Sequence, residues 1–151
     1  MEPTPRNTFA KEERICGRLR IEQLFNGQGS KSMAAFPLRA VYLLREDSDT
    51  EAGDGTATVS ILASVPKRCF KRAVKRNRVK RQIREAYRLN KQIIIPTVEA
   101  MQGRKLMLAF IYMDNKLHDS LHMEAKVKNL LLRISEKLAR ENTQEKEEKH
   151  P

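Results

Sequence analysis

Residues 105–112, Lys105-Leu106-Met107-Leu108-Ala109-Phe110-Ile111-Tyr112, are an almost unbroken apolar run that starts just after Gly103. The run is far too short to cross a membrane as a helix. It reads instead as a central strand buried on both faces. Whatever else the chain does, it must cover that strand.

The remaining periodicities supply the cover. A short helix is expected at about residues 18–25, with Ile21, Leu24 and Phe25 on one face. Gly27 and Gly29 then make a turn. Residues 36–44 are a strand candidate with Pro37 near its start. Residues 46–55 hold five acids and two glycines and read as a solvated loop. Val59, Ile61, Ala63 and Val65 then alternate with polar residues, as in a strand with one buried face. Across so short a loop, these two strands are expected to pair antiparallel. A helix follows over residues 71–94, ending before Pro96. A last helix is expected from Asp119 or Ser120 to Arg140, with Val127, Leu130, Leu131, Ile134 and Leu138 in an apolar stripe. The order implies an α+β fold: a small, mainly antiparallel sheet packed with three helices. We expect one domain over residues 9–140, an extended tail over 1–8 and a polar, disordered tail over 141–151.

Charge narrows the function. The chain has 30 Lys and Arg against 19 Asp and Glu, a net charge of +11. Twelve basic residues and a single acid, Glu85, lie between Lys67 and Lys91; the rest of the chain carries eighteen of each sign. All of the net charge is therefore local, which points to a polyanionic partner. With Val79 at zero on a helical wheel, Ile83, Ala86, Tyr87 and Asn90 fall within about 80° and should face the sheet. Lys80, Arg84, Asn77, Arg88 and Arg81 fall at about 100–200°, so the charge forms a stripe roughly 16 Å long. A plain solvated helix face usually mixes signs at i, i+4; here only Glu85 answers its neighbours. The helix lies between two strands and belongs to no evident helix-turn-helix, which favours RNA over the DNA major groove.

Residues 76–88, RNRVKRQIREAYR, resemble the RNR motif of the bacterial ribonuclease P protein subunit family, close to RNRxKRxIRExFR with Tyr for Phe. Ala63-Ser64-Val65-Pro66-Lys67-Arg68 and Ala73-Val74 are similar to the family's strand end and the pair before the motif. Phe9, Arg14-Ile15, Leu24-Phe25 and Gly29 fit its opening. The resemblance implies a ribosomal protein S5 domain 2-like fold with a left-handed βαβ crossover around the RNR helix. It implies a subunit that binds a catalytic RNA and the 5′ leader of precursor tRNA, with hydrolysis by Mg²⁺ held mainly by the RNA and no catalytic residue in the chain. It places Arg72, Arg76, Asn77, Arg78, Lys80, Arg81, Arg84 and Arg88 against RNA. A leader cleft between the first helix and the sheet would use Phe25, Ala40, Tyr42, Lys67 and Arg68. The chain departs from the family pattern at Ile21, at Pro66 and in the longer turn at residues 69–72.

The alternative is a structural RNA binder such as a ribosomal protein. A conventional enzyme finds little support: the sequence has no paired catalytic carboxylates and no Gly-rich phosphate loop. His118 and His122, at i, i+4, have no evident third metal ligand. Cys16 and Cys69 have no metal-ligand spacing, and we expect no disulfide. With no membrane span and no signal-peptide core, a cytoplasmic protein that is monomeric without RNA is expected.

Overall fold

A computed structural model describes Ile15 and residues 21–22, 24–25, 29–46, 58–101 and 103–148. The expected N-terminal tail, Phe9, Arg14, Cys16, Gly27, most of the acidic loop and the last three residues lie outside the described residues. Four strands, β1 (Lys31–Ala35), β2 (Leu38–Glu46), β3 (Val59–Ser64) and β4 (Arg104–Tyr112), form one sheet in the order β1-β2-β4-β3. The β1–β2 and β2–β4 pairs are antiparallel, and β3 runs parallel to β4. Three α-helices accompany the sheet: α1 (Ala73–Asn90), the short α2 (Ile95–Glu99) and α3 (Ser120–Glu148). Ile21, Glu22, Leu24 and Phe25 are also helical.

The sheet corrects one expectation and adds a strand. The strands at residues 36–44 and 56–65 were expected to pair, yet β4 lies between them. The physical reason is in β4 itself: Leu106 to Phe110 are all buried, which an edge position would not allow. A central β4 in a sheet of three long strands excludes β2 and β3 as neighbours. The long segment from β3 to β4 supplies the crossover that a parallel pair needs. β1 was not foreseen; only Met33 and Ala35 among its residues pack on the core, too weak an alternation to read. Pro37 sits in the tight turn between β1 and β2, where the Phe36–Pro37 peptide is cis.

Two apolar layers lie on opposite faces. On the inner face, Leu38, Ala40, Tyr42, Ile61, Ala63, Leu106, Leu108, Phe110 and Tyr112 pack against α1 and α3. On the outer face, Val41, Met107 and Ala109 meet Ile15 and Leu24, with Ile21, Leu43, Leu62 and Ile111 at the margin. The backbone N–H of Ile15 donates to Ile61 O at 2.8 Å, so Ile15 covers part of the β3 edge.

The helices end differently from expectation. α1 stops at Asn90 and passes into a 3₁₀ turn, and Pro96 falls in the first turn of α2 rather than after the helix. Proline there loses no hydrogen bond, because first-turn N–H groups have no partner within the helix. Asp119 caps α3 by accepting the His122 N–H at 2.7 Å. α3 then continues through Glu148, so the disordered tail expected from residue 141 is corrected to helix over most of its length. Glu, Gln and Lys make up six of residues 141–148 and are all strong helix formers.

Candidate nucleic-acid interface

The basic helix is anchored on one side and open on the other. Val79, Ile83, Ala86 and Tyr87 are its buried residues, four of the five expected from the wheel; the fifth, Asn90, is only half-buried. Arg72, Asn77, Arg78 and Arg81 are exposed, while Arg76, Lys80, Arg84 and Arg88 are half-buried. Gln82 and Asn90 turn towards α3: Gln82 Nε2 donates to Ser120 Oγ, and Asn90 Nδ2 donates to Glu124 Oε1. The flank carrying Lys80, Arg84, Asn77 and Arg81 points away from that contact.

Magnitudes show why this helix holds. Eight like-charged pairs lie at i, i+3 or i, i+4 between Arg72 and Arg88. At about 0.2–0.5 kcal/mol each they cost ~2–4 kcal/mol. Burying Val79, Ile83 and Tyr87 at about 1.5–3 kcal/mol each more than offsets this. Glu85, the lone acid, accepts two hydrogen bonds from Arg88, one from Nε at 2.9 Å and one from Nη2. That bond holds the Glu85 carboxyl below its ordinary value and raises the Arg88 guanidinium. No acid stands in the first turn of α1. Lys71, Arg72 and Lys75 instead add to the positive end of the helix dipole, a field suited to phosphate.

The turn before α1 is tied together by its neighbours. The Cys69 N–H donates to Pro66 O at 3.0 Å, which puts Lys67 and Arg68, both exposed, at the tip. Phe70 is buried and stacks on Tyr112, with ring centroids 5.7 Å apart. Arg76 folds back: its Nη1 donates to Phe70 O at 2.9 Å and Lys71 O at 2.8 Å. The first arginine of the motif therefore positions the turn. Cys69 is a free thiol.

The proposed cleft residues fall on different sides. Phe25 is 41% exposed beside the outer face. Ala40 and Tyr42 are 0% and 2% exposed and belong to the inner core. Burial raises the Tyr42 hydroxyl above its ordinary pKa, with Glu141 adding to the shift. Neither residue can line a cleft under the first helix, because side chains alternate along a strand and both have the wrong parity. The outer face of β2 carries Arg39, Val41, Leu43 and Arg45. Arg39 reaches Ser32 Oγ at 3.5 Å, and Arg45 contacts Met107 Sδ at 3.5 Å. The sequence reading did not single out the two arginines; their shared parity with Val41 was the available signal.

A family model for ribonuclease P matches residues 9–135. The chain belongs to the ribonuclease P protein family. The ribonuclease P protein component of Porphyromonas gingivalis strain W83 is 38% identical over 137 residues, covering 89% of this chain and 92% of that protein. The ribonuclease P protein component of Chlorobaculum tepidum is 34% identical over 109 residues, covering 70% and 68%. The solved ribonuclease P protein from Thermotoga maritima superposes with a TM-score of 0.55 at 23% identity, covering 80% of this chain and 96% of that one, a likeness of fold.

Membership makes the chain a protein subunit of ribonuclease P, the endonuclease that forms the mature 5′ end of tRNA. Among the described residues, no group of three or more His, Cys, Asp or Glu side chains is placed to hold a metal ion. No helix among them is long and apolar enough to cross a membrane.

Proposed function

We propose that this ribonuclease P subunit grips the catalytic RNA with the open flank of α1 and contributes no catalytic group. The observation that carries the reading is the charge geometry: all of the net charge is concentrated in and around one helix whose opposite side is locked into the core. Arg72, Arg78, Lys80 and Arg81, with Asn77, face the RNA phosphates directly; Arg84 and Arg88 extend the row, and Arg76 holds its base. Arginine suits the task through bidentate phosphate contacts. The 5′ leader of precursor tRNA lies on the outer sheet face beside Phe25, with Lys67 and Arg68 at the β3 end. Mg²⁺ belongs to the RNA in this reading. Glu85, the only carboxylate on α1, is engaged by Arg88, and these residues do not make an Mg²⁺ site.

The β3–α1–β4 unit joins two parallel strands; in this reading its crossover is left-handed and the arrangement S5 domain 2-like, as the family resemblance implies and against the usual hand for such units. We place the subunit in the cytoplasm, monomeric until it meets RNA. Reconstitution with the organism's own ribonuclease P RNA and a leader-bearing precursor tRNA tests the reading. The protein alone should leave the precursor intact, and adding it to the RNA should accelerate cleavage at low Mg²⁺. Cleavage at the mature 5′ end by protein alone would overturn it. With about five phosphate contacts, log K should fall against log salt with a slope of about −3.5 to −4.5, and Arg81→Ala should reduce that slope by about 0.7–0.9.

A further inference from the structure

A run of four rings leads from the core to the surface beside α1. Phe70 stacks on Tyr112 at 5.7 Å; the edge of Tyr112 meets His118 at 6.4 Å and 67°; His118 stacks on His122 at 4.8 Å and 17°. Phe70 and Tyr112 are buried, His118 is half-buried and His122 is exposed. The ladder therefore ends in a ring with one face on His118 and the other available.

Its supports are local. The Tyr112 hydroxyl donates to Lys116 O, and His118 Nε2 lies 2.7 Å from Asp114 Oδ2. Gln82 of α1 holds the loop, donating through Nε2 to His118 O at 3.0 Å and Ser120 Oγ at 3.3 Å. Arg78 is one helical turn, about 6 Å, before Gln82 on the same side of α1. The two nearby acids are already engaged, Asp114 with His118 and the Asn115 N–H, and Asp119 with the His122 N–H. An exposed arginine on the same side of the helix as an exposed, stacked ring is a combination that can bind an unpaired nucleotide, phosphate on the charge and base on the ring.

We propose that His122 is a stacking platform for an unpaired base of the RNA partner, next to a phosphate held by Arg78. This rests on the reading of α1 as the RNA surface and adds a contact outside the RNR motif.

Equilibrium binding of the organism's ribonuclease P RNA to full-length protein, measured across a salt series, tests it. His122→Ala should weaken binding about five- to tenfold, the lower part of the range for loss of one stacked base, and leave the salt slope unchanged. His122→Phe should restore most of the affinity, whereas His122→Lys should not. An unaffected His122→Ala variant, rescue by lysine, or a slope reduced by nearly one unit would each overturn the platform. If wild-type protein does not bind the RNA at all, the α1 interface fails instead, so the two ideas fail separately.

Discussion

Arg76 shows how one residue's role depends on where its hydrogen bonds go. Its position in the motif suggests a phosphate ligand, yet its guanidinium is spent on the carbonyls of Phe70 and Lys71. Arg76→Ala should therefore lower stability by about 1.5–3 kcal/mol, the range for hydrogen bonds to a charged group, and change the salt slope of RNA binding less than Arg81→Ala does. Denaturant melts of both variants beside their salt series check this. Asp114 makes a second prediction. The His118 hydrogen bond, helped by backbone N–H groups, holds its carboxyl below the ordinary Asp value. A carboxyl with a depressed folded pKa adds stability above its unfolded value near 3.9, which is lost as pH falls through the folded value. Asp114→Asn should thus melt earlier than wild type at neutral pH, and the gap should close at acid pH. A gap that persists at the lowest pH would deny Asp114 this role.

Within β2, parity decides what each residue can touch. Leu38, Ala40, Tyr42 and Leu44 face the helices, and Arg39, Val41, Leu43 and Arg45 face outward. Tyr42→Ala should cost about 3–5 kcal/mol of stability, as for loss of a large buried ring. Phe25→Ala, at an exposed position, should leave stability nearly unchanged and weaken binding of leader-bearing precursor more than of mature tRNA. Thermal melts and paired affinity measurements separate these outcomes; equal losses on both RNAs would remove Phe25 from the leader surface. The buried side of α1 was legible because Val79, Ile83, Ala86 and Tyr87 repeat at helical spacing among charges. The face of β2 was not, because apolar residues occur at both parities and only Arg39 and Arg45 mark the outside.

Across the whole molecule, β4 is the organising strand. It pairs along its length with β2 and over six residues with β3, and helices cover its inner face. Its central amides should therefore exchange hydrogen most slowly, near the global unfolding limit, while β1 opens first. Exchange that is faster in β4 than in β1 would contradict this arrangement. The pair of Lys31 with Glu141, both half-buried, and the bond from the exposed Arg133 to Ala34 O at 2.8 Å tie β1 to α3, and each adds little beside the core.

The sequence alone determined that residues 105–112 are central, that α1 has one apolar side, and that the net charge sits around it. Those properties are local: they follow from the order of apolar and charged residues along one element. Only the tertiary structure decided that β4 separates β2 from β3, that Ala40 and Tyr42 face inward, that Arg76 braces a turn and that His122 ends a ladder of rings. Each of these depends on which distant segments meet. That choice is made by burying both faces of β4 at once, and no single stretch of the chain encodes it.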